Sequence, residues 1–198
     1  MKTSIKTIFL AFLVLTMAAC GEKYDVIIEE FEMSNLYDID NYELPITKNM
    51  TAVSKSTFDN SIVGYGWKEV ETHEINDDGS YAREDFWTDM DGGGPSKYEF
   101  LPDEVIKYFV NLANPSGDSF YKKVCSYNEN VNIISFDGYP SMRIIHFSET
   151  KIKVVVRGGI RFDKEKNCLK NVFHYITLQR MSTEELEKVR AAHKYPNQ

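Results

Sequence analysis

The four histidines, His73, His146, His174 and His193, are the side chains best suited to ligate a metal or move a proton, and they are scattered along the chain. His146 and His174 fall on segments that read as neighbouring strands, so an inward-facing pair is conceivable. Two imidazoles lack the third ligand that a metal centre needs, and satisfied or exposed histidines are the better reading. Asp85, Asp89 and Asp91 beside Gly92–Gly94 gather oxygens of the kind a hard cation takes. The rest of an EF-hand loop and its terminal Glu are missing, so the cluster reads as a solvated acidic turn. The same glycines make a poor phosphate cradle, because no strand–loop–helix unit with a P-loop lysine surrounds them. No serine occupies a G-x-S-x-G elbow, and no Ser/His/Asp order can be assembled. Carboxylates are abundant in an acidic chain, and none is singled out as a catalytic pair. The expectation is a protein that is not an enzyme and uses no cofactor and no metal.

Cysteine and aromatic chemistry say more. Cys125 and Cys168 form an even pair that an oxidising compartment would allow to bridge, and two buried free thiols fit equally well. No CxxC or Cys/His spacing points to zinc. The 12 Tyr and 12 Phe spread over nearly every apolar segment. Alternate side chains of a strand share a face, which groups Tyr98 with Phe100 and Phe173 with Tyr175. An aromatic-lined pocket built from these four would suit an apolar or sugar-like ligand, and a filled core is the plainer alternative.

The elements that must position these residues begin after a delivery segment. Lys2 and Lys6, the apolar run Ile8–Met17, and Ala18-Ala19-Cys20 read as a removable signal over residues 1–19, too short to span a bilayer. The stretch LTMAAC resembles a bacterial lipobox, which implies that Cys20 is diacylated and becomes the new N-terminus. Several acyl chains, at about 0.8 kcal/mol per buried methylene, would anchor a soluble body to the cell envelope, with the outer membrane expected and its side undecided. The 23 basic side chains fall to 21 without Lys2 and Lys6, against 30 acids, for a net charge of −9. Such a body repels nucleic acid and anionic head groups, leaving the lipid as its membrane contact. Residues 20–50 read as a tether, with a short amphipathic helix at Tyr24, Ile27, Ile28 and Phe31 as one option.

Residues 51–198 read as one domain. Ser54–Gly64 has a capping Ser54, Phe58 and Ile62 on one face, and a glycine stop, the marks of a short helix that plugs one end of a body. The organising stretch is Gly64–Tyr81, in which a Gly-x-Gly-Trp opens a strand over Lys68–Ile75 that runs into the turn Asn76–Ser80. Further strands are expected at Tyr81–Thr88, Lys97–Leu101, Asp103–Val110, Ser119–Tyr127, Val131–Phe136, Ser141–Phe147, Ile152–Arg157 and Asn171–Arg180, with a looser crossing over Gly158–Lys170. Strands without long intervening helices argue for an antiparallel meander, and closing it into an up-and-down barrel removes the edges that a two-sheet sandwich would leave. Ser182-Thr183-Glu184-Glu185 announces a C-terminal helix through Ala192.

Gly64-x-Gly66-Trp67 after a short helix resembles the G-x-W start of lipocalins. Residues 51–181 are similar to the lipocalin-like domains of Bacteroidetes lipoproteins, in the Asp-Asp-Gly hairpin and the closing strand Ile176–Arg180 as well. The resemblance implies an all-β, calycin-type barrel. It implies that Trp67 closes the barrel end with Arg180 as its cation–π partner. The expected function is a binding module that holds a small hydrophobic or amphipathic molecule inside the barrel. A filled barrel acting through a protein partner, not identifiable from sequence, is the alternative.

Overall fold

Short runs of β-branched and aromatic residues separated by turn-forming Gly, Asn and Asp leave the chain one economical arrangement, a meander in which each strand pairs with the next. The computed structural model describes residues 30–81, 95–109 and 120–193. The expected signal segment, Cys20, the option of a helix at Tyr24–Phe31 up to Glu29, the Asp85–Gly94 cluster and the expected returning strand beyond Tyr81 lie outside the described residues.

Eight strands form the barrel: β3 (Gly66–Ile75), β4 (Lys97–Phe100), β5 (Glu104–Tyr108), β6 (Phe120–Asn128), β7 (Ile133–Phe136), β8 (Tyr139–Phe147), β9 (Lys151–Asp163) and β10 (Cys168–Arg180). Each pairs antiparallel with its successor, and β10 closes on β3 from Arg180↔Trp67 to Phe173↔Ile75. The expected closed up-and-down barrel, lipocalin-like in its strand number and connectivity, is what the chain forms. One expectation changes: the looser crossing over 158–170 is a long hairpin, since β9 continues to Asp163 and β10 begins at Cys168. Glycine at Gly158 and Gly159 lets β9 bulge here and carry on pairing.

The two helices form where their caps stand. In α1 (Lys55–Ser61) the Ser54 hydroxyl accepts from the Thr57 amide, and Gly64 takes φ +84° just beyond. Phe58 and Ile62 are buried in the end of the barrel, with Phe58 stacked on Tyr127 at 4.3 Å. In α2 (Thr183–Ala192) Ser182 and Glu185 complete a reciprocal capping box. This helix docks on the outside of β4, where the Arg190 guanidinium grips Glu99, a carboxylate only 2% exposed that also accepts from Tyr108 Oη at 2.8 Å. Among the described residues, no helix is long and apolar enough to cross a membrane.

The segment expected as a tether is, from Glu30 to Met50, part of the folded body. It carries a two-residue ladder, β1 (Phe31–Glu32) with β2 (Ile46–Thr47), and lies as a strap over the outer faces of β8, β9 and β10. Phe31, Leu44 and Tyr42 cover Phe173, Tyr175, Val155 and Ile145. Asn171 holds the strap from β10: its backbone N–H donates to Leu36 O at 2.8 Å, and its Nδ2 donates to the carbonyls of Leu36 and Asp38 at 3.1 and 2.9 Å. The Arg157 guanidinium lies 4.2 Å above the Tyr42 ring and donates to Ile39 O.

The strap enters over the Asn76–Ser80 turn, where Phe31 N–H donates to Gly79 O at 2.9 Å. Gly79 has φ +84°, and a Cβ there would sit 2.0 Å from Phe31 O. Gly79→Ala is therefore expected to cost at least about 1–2 kcal/mol from its backbone conformation alone, and to lift the start of the strap. Limited proteolysis should then cut within residues 33–45 faster than in the unaltered protein. Unchanged cleavage would mean that the strap is held without this contact.

Candidate functional site

Strand alternation decides what the barrel encloses. On β10, His174, Ile176 and Leu178 turn inward, whereas Phe173 and Tyr175 turn out beneath the strap. The half of the barrel next to α1 is filled by Trp67, Phe100, Ile134, Ile144, Ile152, Val154 and Leu178. The other half holds a cavity of about 390 Å³. Its apolar lining comes from Val105, Met142, Val156 and Ile176, and its polar lining from Glu69, Thr72, Lys107, Lys123 and His174. Tyr98, Tyr121, Phe136 and Tyr139 supply the aromatic part.

The polar lining is ordered by a few contacts. Tyr98 Oη donates to Glu69 Oε1 at 2.7 Å, and the Ser96 amide donates to Glu69 Oε2 at 3.2 Å. Burial, reinforced by the Glu69 charge, holds the Tyr98 phenol well above its ordinary range, so it stays a donor. Lys107 Nζ lies 5.5 Å from the centre of the Tyr98 ring, and Lys123 Nζ lies 5.1 Å from that of Tyr139. Tyr121 stacks on Tyr139 at 4.5 Å. His174 lies against the bare backbone of Gly158, where a Cβ would come within 2.5 Å of the imidazole Cε1.

The four expected pocket residues divide. Tyr98 lines the cavity. Phe100 faces inward but lies in the filled half, 6.2 Å from Phe58. Phe173 and Tyr175 do share a face, but it is the outer one, and the strap rather than a ligand covers it. Their strand is apolar on both sides, so composition could not tell inside from outside. Lys107, Lys123 and Glu69 belong to no motif, and a charged residue on a strand is by itself no sign of an inward side chain. The available signal was alternation: Tyr121, Lys123 and Cys125 must share one face of β6.

Trp67 is fully buried at the plugged end and donates from Nε1 to Ile62 O at 3.2 Å, joining β3 to α1. Arg180 is its ladder partner, but the ring beneath the guanidinium is Tyr65, 3.2 Å away. The bridge left open between Cys125 and Cys168 is not made. Both thiols are free, on β6 and β10, which are not adjacent in the barrel. Burial pushes the Cys125 thiol up to about 11, which makes it an inert core side chain.

The histidines are equally separate. His146 and His174 are on β8 and β10, with β9 between them. His146 Nδ1 meets Thr51 Oγ1 at 3.1 Å, His73 lies beside Tyr81, and His193 ends α2 against Tyr108. Among the described residues, no three of His, Cys, Asp and Glu converge to hold a metal ion.

Burial, and to a lesser extent Arg161, holds His174 below its ordinary value of 6.5, with Glu74 opposing. The unfolded chain then takes up a proton more readily than the folded one, so stability is lost as pH falls below 6.5 and the loss ends at the folded value. Thermal melts between about pH 7 and pH 5 should show this decline, within the range where histidine titrates. His174→Gln should flatten it, and an equal slope in that variant would place the titrating group elsewhere.

No protein-family model matches the sequence, and a search of curated proteins found no match. Among solved structures, the chain is similar to lobster apocrustacyanin A1, with a TM-score of 0.34 and 13% identity over 81% of this chain and 87% of that one.

Proposed function

We propose that this protein is a lipid-anchored lipoprotein of the bacterial cell envelope whose barrel binds a small amphipathic molecule and catalyses no reaction. The observation that carries the binding reading is the half-filled barrel. A plug of α1 and Trp67 closes one end, and the remaining cavity is lined by both apolar and polar side chains. A volume of about 390 Å³ lies in the range of about 300–1,000 Å³ typical of small-molecule sites. The envelope reading is supported by the signal-like residues 1–19 and the lipobox-like run before Cys20. A protein-interaction role is the second reading. It is favoured by Ile160, Phe162 and Leu169, each about half exposed on the β9–β10 hairpin.

A neutral fluorescent probe, N-phenyl-1-naphthylamine, is expected to brighten on binding with saturation near one per chain. Met142→Trp should take up part of the cavity and weaken that signal while the barrel still melts cooperatively. Undiminished binding in this variant would put the probe outside the barrel and favour the interaction reading. Cys20→Ser should move the protein from the membrane fraction to the soluble one; retention in the membrane would sink the lipid anchor.

A further inference from the structure

We infer that the cavity selects amphiphiles with an anionic head group, held by Lys107 and Lys123, with the tail against Val105, Met142, Val156 and Ile176. The inference rests on the binding reading above and names the chemistry of its ligand.

The register of β5 and β6 carries the argument. Val105 pairs with Lys123 and Lys107 with Tyr121, so the two lysines occupy diagonal positions on one inward face. Such positions are about 7–8 Å apart, close enough for both ammonium groups to reach one anion. Both side chains line the cavity, and neither forms an ion pair among the described residues. Lys55, Lys68, Lys122, Lys170, Lys188, Arg161 and Arg190, by comparison, each hold a carboxylate.

The carboxylates on the cavity side are already engaged. Glu69 accepts from Tyr98 Oη and the Ser96 amide, and Glu74 accepts both Arg161 nitrogens at 2.7 and 2.8 Å. His174, held below 6.5, contributes no charge at neutral pH. Two adjacent ammonium groups in a partly desolvated wall repel each other, and a bound anion removes that cost and is hydrogen-bonded by both. In a chain with net charge −7, cations placed inside and left unpaired stand out against an acidic background. The ring faces of Tyr98 and Tyr139 hold the ammonium groups in place without neutralising them.

The test is competition against N-phenyl-1-naphthylamine on the full mature chain, with three ligands that share one tail: dodecanoate, dodecanol and dodecylammonium, each below its micelle concentration. Dodecanoate is expected to displace the probe at a concentration at least about ten-fold lower than dodecanol, with dodecylammonium weakest. Lys107→Met with Lys123→Met should abolish the preference for the carboxylate, so that dodecanoate competes no better than dodecanol. Equal competition by all three ligands would overturn the inference while leaving the cavity a binding site. So would a carboxylate preference that survives in the double variant. If that variant fails to fold, the series on the unaltered protein still decides, because a grip by two ammonium groups must weaken as salt is raised and the alcohol must not. Absence of any probe binding would remove the binding reading itself, and the inference with it.

Discussion

The ladder between β3 and β10 is the constraint on which the structure depends. It joins residues 66–75 to residues 168–180, and until it forms the sheet has two open edges and no interior. Once it forms, every side chain on those strands is assigned to the inside or the outside. The assignment is sharp on β10, where side chains alternate: a slip of one residue would put His174 and Ile176 under the strap and Phe173 and Tyr175 in the cavity. Trp67 pins the register at one end by donating to α1 across the barrel mouth, and the Gly79 turn under Phe31 pins it at the other.

Closure also produces two cores rather than one. The inner core runs from Phe58 to Ile176, and the outer one lies between the strap and the faces of β8, β9 and β10. Because the outer core is apolar packing outside the barrel, the inside is spared from supplying all of the burial. A barrel of eight strands is just wide enough to be filled by its own side chains. Here the filling stops halfway, and the far half is lined by lysine, glutamate and tyrosine.

The architecture was largely legible in the sequence, and the site only in part. Helix α1 was readable because Ser54, Phe58, Ile62 and Gly64 each carry a local signal, and α2 because of its capping box. The barrel was readable from turn spacing. The strap was not, since Tyr42 and Leu44 have no periodicity of their own, Phe31 falls in a helical spacing although it forms a strand, and all three pack on residues more than a hundred positions away. That same strap reversed the reading of Phe173 and Tyr175, by burying a face that would otherwise carry polar residues. The cavity lysines were hidden for the opposite reason: an inward charge breaks the pattern by which strands are read, and functional sites are where such breaks concentrate.

The strap's position has a consequence for the order of assembly. Its carbonyls meet Asn171 on β10, and its Phe31 amide meets Gly79 O just beyond β3, so it spans the β10–β3 seam and its full docking surface exists only once the barrel has closed. Contacts that wait on closure are expected to form after the rate-limiting step of so non-local a β fold. They leave the folding rate nearly untouched and act on the unfolding rate. The strap is thus a latch that sets the lifetime of the closed barrel rather than the speed of its formation.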